Sequence, residues 1–551
     1  MTDTYCANSE DTMTAYAPEY TEQIMHRGRV MMEPADFVPD WLDKPRKQKF
    51  YPDAVRVPMP RAAGGADASG TTAAAFTAND GEQLGDDLSD LAEMLLHSYG
   101  LIGRRLGIQA NTDLGGLPRY VDAGWSRGTA SGGGLYPITI YYVAGADSQL
   151  ASGIYHYSPM HHAFQRLLTG DVTAQIRGAL ATHQEREAGG GYFVLGLKYW
   201  QNAFKYNSFS FHAVTMDLGT VLATWTMWAR ARGRRLSADL WFDEAEVADL
   251  LGVDNDEEAI YAVVPLTAMS AQSRPAHGSS LEQAATGAPS HPAQVRIADE
   301  EQSRISYGFD AVERMQRESS RAARLSDEAR TALERVGRPR LRQGPSLDLP
   351  SPAPLQGSLV KALTGRRSSF GRFVGAPMSA ADLHTLLRAA GEGGLVTDAG
   401  ADTSASASIY VFVNHVESIA KGAYQFDART GSLIRLVDGD QGRFLQDNYF
   451  LSNYNLEQAG AVIVPAIPTH HVLDGTGARG YRLVNATIGA ISQHTYVAAS
   501  ALGTGCGVAL GFDNISFIER LELQESGEKP LLIMAVGNEL PGSGNYRAEM
   551  V

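Results

Sequence analysis

The feature that most constrains this chain is that it repeats itself. TIYYV at 139–143 returns as SIYVF at 408–412, an offset of 408 − 139 = 269. Gly153 and Tyr155 return as Gly422 and Tyr424, and Arg166, Gly170 and Asp171 as Arg435, Gly439 and Asp440, all at 269. Gly219 and Gly233 match Gly489 and Gly503 at 270, as LWFD at 240–243 matches LGFD at 510–513. Solenoid repeats run to about 20–45 residues, so this period means a duplicated domain. With 551 residues, the chain has room for two copies and a connection.

Each copy mixes period-2 and period-3.6 stretches, which predicts an α+β fold: two tandem domains forming an intramolecular pseudo-dimer. In the first copy, strands are expected at 138–143, 153–157, 164–168, 192–197 and 260–265. Helices are expected at 88–99, 172–183, 211–231 and 247–251, and in the second copy at 380–390. The expected layout is an arm and flexible connection over 1–84, a first domain over 85–266, a linker over 267–355 and a second domain over 356–551. The arm is expected to be partly extended and packed on a neighbour. Within the linker, Phe309 to Val336 reads as an exposed helix laced with Glu and Arg.

Composition removes several function classes. A net charge of −15 argues against a general nucleic-acid binder, which would carry a basic face. The two cysteines, Cys6 and Cys506, make no disulfide framework. The first residues, MTDTYCANSEDTM, have neither the basic start nor the apolar core of a signal peptide, so a cytoplasmic protein is expected. Leu483 to Phe512 has no Asp, Glu, Lys or Arg, but it holds Asn485, Gln493 and His494. It is read as a helix buried between protein surfaces, with no membrane partner. His156, His161, His162, His470 and His471 lack metal-ligand spacing with carboxylates or cysteines, so no metal is expected.

The differences between the copies point to a site. The first copy has a glycine turn, ASGGGLYP at 130–137, running into a strand. Three consecutive glycines remove every Cβ and let the backbone lie against a ligand. Shifted by 269, the turn lands on AGADTSAS at 399–406 and is gone. The second copy instead has RRSSFGRF at 366–373, set against SGTTAAAF in the first, and Gly511 where the first has Trp241. Each copy keeps half of a site, so a pseudo-dimer is expected to hold one composite site.

RRSSFGRF, the long buried helix and LGTGCGVALGFD together resemble the nitroreductase-type flavin fold. SRGTASGGGLYP, GIYHYSP and YPDAVRVPMP resemble its SagB-type branch, FMN-dependent dehydrogenases that oxidise azolines in ribosomally made peptides. The resemblance covers about 85–266 and 356–547. It implies FMN as cofactor, with sites at the dimer interface built from both copies. Arg366, Arg367 and Ser368 would bind its phosphate and ribityl chain, helped by Arg372 and Arg547; a dianionic phosphate suits guanidinium donors. Arg127, Ser131, Gly132 and Gly133 would line the flavin ring from the first copy, and Leu510 and Gly511 from the second. Such azoline dehydrogenases carry an adjacent Lys–Tyr pair needed for activity, and Lys205–Tyr206 matches it here. At 270 residues on, the second copy has Gly475–Thr476.

The implied reaction removes a hydride and a proton from a thiazoline or oxazoline, with Tyr206 as base and Lys205 as its activator or proton carrier. A free tyrosine titrates near about 10, and an adjacent ammonium favours the phenolate. The implied partner is a peptide substrate, free or carrier-bound, with room for a cyclodehydratase and for either a monomer or a higher homo-oligomer. Two alternatives stay open on the sequence. One is an NAD(P)H-dependent nitro or quinone reductase; the other is a non-catalytic peptide-docking scaffold.

Overall fold

The computed structural model describes residues 15–60, 70–109, 119–180, 190–268, 294–336, 340–400, 403–540 and 545–549. Two antiparallel sheets form, one per copy. The first runs in the order Val55–Pro58, Ala163–Thr169, Gly153–Ser158, Ile138–Ala144, Tyr192–Lys198, Glu258–Pro265. The second runs Ser346–Asp348, Ser432–Asp438, Gly422–Asp427, Ser408–Val413, Ala461–Ile467, Ile533–Gly537, Gly505–Ala509. The repeat holds at the level of single pairs. Tyr155 faces Arg166 with a bulge at Ile154/Tyr155, and Tyr424 faces Arg435 with a bulge at Ala423/Tyr424, 269 residues later.

The buried polar groups repeat as well. Glu258 accepts hydrogen bonds from Thr139 and, at 2.9 Å, from the Tyr141 hydroxyl. In the second copy Glu528 accepts from Ser408 and, at 2.7 Å, from the Tyr410 hydroxyl. A carboxylate this deep is tolerable only when its lone pairs are met, so both sheets carry the same solution at the same place.

Two long helices, Ser210–Ala231 and Arg479–Leu502, cross at the centre. Both are buried on nearly every face, and polar side chains they carry inward, Asn485 and Gln493 among them, find partners in the protein. Their contact is two-fold symmetric. A Cβ at Gly219 would run into the backbone oxygen of Ala486, and one at Gly489 into that of Met216. Since 216 + 270 = 486 and 219 + 270 = 489, each copy offers the same patch to the other, as an isologous interface requires. Near the axis, Asn485 donates to Thr215 at 2.7 Å. The charge-poor stretch from Leu483 is thus an interface helix, and among the described residues no helix is long and apolar enough to cross a membrane.

Three expectations are completed or corrected. To the partly extended arm the structure adds a helix, Tyr16–His26, with Tyr20 and Ile24 fully buried. Its apolar spacing is short, with Pro18 in its first turn and Gly28 just past its end. The stretch 309–336 is two helices, Asp310–Ser320 and Asp327–Val336, and one face of the first is covered, since Met315 and Ser319 are fully buried. Gln316 on that face takes Arg482 at 2.8 Å and gives a 2.6 Å bond to Glu244, meeting a buried ion pair, while Asp310, Arg314 and Arg317 reach solvent.

The third correction concerns the arginine segment. Thr72 N donates to Gly357 O, and Leu359 N to Gly70 O. This exchange is symmetric at an offset of 357 − 70 = 287, with Thr71 and Ser358 as matching helix N-caps. At that offset Arg366 stands opposite Asn79, not within SGTTAAAF. The first copy still has no basic residue there.

Candidate functional site

The strand Arg119–Ser126 leads into the glycine turn. It pairs with Gly103–Gln109, which pairs in turn with Asn545–Glu549 from the far end of the chain. Sequence reading missed this three-stranded sheet. It sets the backbone of Arg547 opposite Arg105, so the second copy's C-terminal end clasps the first copy beside the turn.

Below the turn lies a residue that was also missed. Asp217, on the first long helix, accepts from Ser131 Oγ at 2.5 Å and from Gly132 N at 2.9 Å. Ser131 Oγ accepts in turn from Tyr136 N at 2.8 Å. The Gly132 amide is therefore committed to the protein rather than offered to a ligand. Burial drives the Asp217 carboxyl up to about 7, against the lowering effect of those two hydrogen bonds. A signal existed: Asp217 is the only charged side chain between Ser210 and Ala229.

The structure brings Lys205 and Tyr206 to the same turn. They end the helix Trp200–Tyr206, and Asn207 follows at φ +40°, a left-handed conformation that turns the chain sharply. A Cβ at Gly133 would collide with the Tyr206 hydroxyl and lie 3.1 Å from Lys205 Nζ. Glycine is thus demanded at 133 both by φ +62° and by these two side chains. The Lys205 ammonium sits 4.9 Å from the centre of the Tyr206 ring.

Residues from the second copy close the other side. Arg366, buried, donates from Nε to Gly128 O at 2.8 Å and from Nη2 to Arg127 O at 3.1 Å. Gln493 donates to Gly128 O at 3.1 Å and accepts from Ala130 N at 3.0 Å. The guanidinium of Arg366 thus braces the loop before the glycine turn. Arg127 is buried against the rings of Tyr99 and Tyr136, and its Nε and Nη1 lack a protein acceptor. Buried donors of this kind call for an acceptor from a ligand or solvent.

Arg367 and Arg372 converge on one anion. Glu539 pairs with Arg367 through Oε1, and its Oε2 lies 3.9 Å from Arg372 Nε without a hydrogen bond. Beside them is a cavity of about 160 Å³ lined by Arg367, Ser369, Tyr496, Thr504 and Glu539. Ser368 shares a 2.9 Å hydrogen bond with the Tyr496 hydroxyl. Two guanidiniums facing one carboxylate make a cationic pair whose chemistry suits an anionic group such as a phosphate.

Comparing the two seams explains Gly511. In the first copy the amides of Leu240 and Trp241 donate to the Asp398 carboxylate at 2.8 and 3.0 Å. In the second copy the matching amides, Leu510 and Gly511, donate to no group among the described residues. One amide pair is capped by a side chain and walled by Trp241; its twin has no such cap among the described residues. Among the described residues, no cluster of His, Cys, Asp or Glu could hold a metal ion.

Residues 363–538 match the nitroreductase family. That match falls within the second copy. The putative nitroreductase MJ1384 of Methanocaldococcus jannaschii is 29% identical over 181 residues, 32% of this chain and 88% of that protein. A putative nitroreductase of Anabaena variabilis superposes with a TM-score of 0.69 at 18% identity, covering 96% of this chain and 100% of that one. A match of that extent means that both copies, and their arrangement, share the nitroreductase fold. The family accounts for an oxidoreductase fold, and its members typically bind flavin.

Proposed function

We propose that this protein is an FMN-dependent dehydrogenase that oxidises thiazoline or oxazoline rings in a peptide to thiazoles or oxazoles, with one composite site per chain. The observation that carries the reading is the meeting of Lys205 and Tyr206 with Gly133, beside the loop that Arg366 braces. Arg367 and Arg372 would hold the cofactor phosphate, and Arg127, the Leu510–Gly511 amides and Ser131 to Gly133 would line its ring system. A bound flavin supplies the hydride acceptor.

The chain's own groups handle the proton. One ring carbon of the azoline gives up a hydride and its neighbour gives up a proton, leaving the new double bond. The Tyr206 oxygen takes that proton, with the Lys205 ammonium 4.9 Å from the centre of its ring. Asp217 keeps the turn in place through Ser131 and Gly132, which fixes the distance between the ring floor and Tyr206. Tyr206→Phe is expected to retain bound flavin and lose azole formation, followed by the mass loss of two hydrogens from a thiazoline peptide. Normal turnover by that variant rejects the assignment. Rapid bleaching of the flavin by NADPH would instead favour a nitro or quinone reductase.

A further inference from the structure

One cavity lies outside this site but ends beside it. It measures about 800 Å³ and runs between the arm, Ser208 and the helix Asp310–Ser320. Its walls are fixed. Tyr16 N donates to both oxygens of Glu318, at 3.0 and 2.8 Å, and Ser208 Oγ donates to Glu33 O. Ser208 is two residues beyond Tyr206, so one end of the cleft lies next to the proposed base.

The lining is apolar and acidic at once. Val30 and Met31 are 67% and 68% exposed, unusual for such side chains, and they form one lip. Of the acids, Glu22 is already matched by Lys529 at 2.9 Å and His470 at 2.7 Å, and Asp310 faces Arg314 at 3.9 Å. Glu19 and Glu33 are different. Glu19 accepts only from Gln23, and Glu33 only from the backbone of Ala35, so among the described residues neither has a cationic partner.

We infer that this cleft is the bed for the substrate peptide, and that it selects a segment in which lysine or arginine alternates with apolar side chains. The inference rests on the proposed peptide reaction and adds where the chain of the substrate lies and which charge it carries. Unpaired carboxylates at a rim steer and discriminate by charge, while the exposed Val30–Met31 lip takes apolar side chains.

The test uses two labelled decapeptides without any azoline, one with two lysines and two leucines, the other with glutamates for the lysines. Fluorescence anisotropy at low salt should show the lysine peptide binding roughly tenfold more tightly, with the difference shrinking as salt screens it. The exposed pair Glu19→Lys/Glu33→Lys should abolish or reverse the preference, and Met31→Ser should weaken both peptides. Equal affinities, or a preference unchanged in the double variant, overturn the inference. Failure of the reaction is read separately. Charge-selective binding with no azoline oxidation sinks only the proposed chemistry, whereas oxidation with an unchanged KM in the double variant sinks only the cleft.

Discussion

The contact between Gly133 and Tyr206 can be tested with its neighbour as control. Gly133 and Gly134 both adopt positive φ, +62° and +66°. An alanine at either position meets the left-handed penalty of about 1–2 kcal/mol, partly offset by the roughly 0.4–1 kcal/mol gained from a stiffer unfolded chain. Each variant should therefore lose about 1 kcal/mol, a fall in melting temperature of roughly 2–4 °C for a domain of this size. The surroundings then separate them. A Cβ at Gly134 has no atom within 4 Å, while one at Gly133 overlaps the Tyr206 hydroxyl and lies 3.2 Å from Cζ of its ring. The phenol is rigid, so the whole ring must shift. A displacement of about 1 Å at a reacting group costs on the order of 100-fold in rate. Gly133→Ala should lose about that much in thiazoline oxidation and Gly134→Ala only a few-fold. Both should keep the visible absorption of bound flavin. In a Tyr206→Phe background, Gly133→Ala should cost nothing further in activity, because the two changes act on one contact. Equal activity losses for the two glycines would show that Tyr206 is not part of the reaction.

Other outcomes follow from the same geometry. Asp217 has a folded-state value raised to about 7 by burial, so the native state binds more protons than the unfolded chain between about pH 4 and 7. Stability from this group is present at low pH and is lost as pH rises through that window. The melting temperature of Asp217→Asn minus that of the parent should therefore grow from pH 4 to 7 and flatten above; a constant difference refutes it. Gly219→Ala and Gly489→Ala each push a Cβ into the facing helix backbone. Each should cost about 1–3 kcal/mol in thermal or urea unfolding, and an unchanged midpoint would refute the close crossing. Asp398→Ala leaves the buried Leu240 and Trp241 amides unmet, a loss of about 1–3 kcal/mol. Bound flavin should stay at one per chain in the parent and in this variant, by absorbance against protein concentration. Two flavins per parent chain would end the single-site reading.

The repeat was legible because it is written in residues whose backbone or burial demands are strict. Gly219 and Gly489 sit where only a hydrogen fits, and Tyr155 and Tyr424 share one bulged register. Strand and central-helix expectations held for the same reason: sheet and interface bury them, so their periodicity is strong. The site was legible only in part. Lys205–Tyr206 and the glycine turn stood out, and the structure puts them side by side. Asp217, Gln493 and Glu539 did not, because their partners lie 85, 365 and 172 residues away; for the first two they are backbone or turn groups that carry no pattern, and for Glu539 the partner is Arg367, which was read for a ligand alone. Arg366 was read as a phosphate ligand by type; its bonds to Gly128 and Arg127 depend on how the copies dock, which no local pattern encodes. The helix Asp310–Ser320 keeps the solvent-facing Asp310, Arg314 and Arg317 that the sequence suggested, but Gln316 and Ser319 on its other face answer a buried Arg482, which no local pattern signals.

Why one seam is closed can be argued from what sits on it. In a dimer of identical chains, any change that fills one interface site fills the other. Joining the copies removes that constraint, and the helix crossing, symmetric through Gly219 and Gly489, needs neither site. The filled seam then serves a different purpose. Asp398, besides holding the Leu240 and Trp241 amides, gives its carbonyl to Arg330 of the connecting segment. Arg479 reaches Leu240 O at 2.7 Å and Ala322 O at 2.8 Å, and Arg482 pairs with Glu244 at 2.8 Å while bonding Ser319 at the same distance. Every one of these bonds joins the second copy to the first, or to the segment between them. The connection is thus anchored on the seam that Trp241 fills. Under the proposed single site, the asymmetry in the sequence, a tryptophan against a glycine at one aligned position, follows from that use: one seam holds the connection, and the other is left to the proposed flavin.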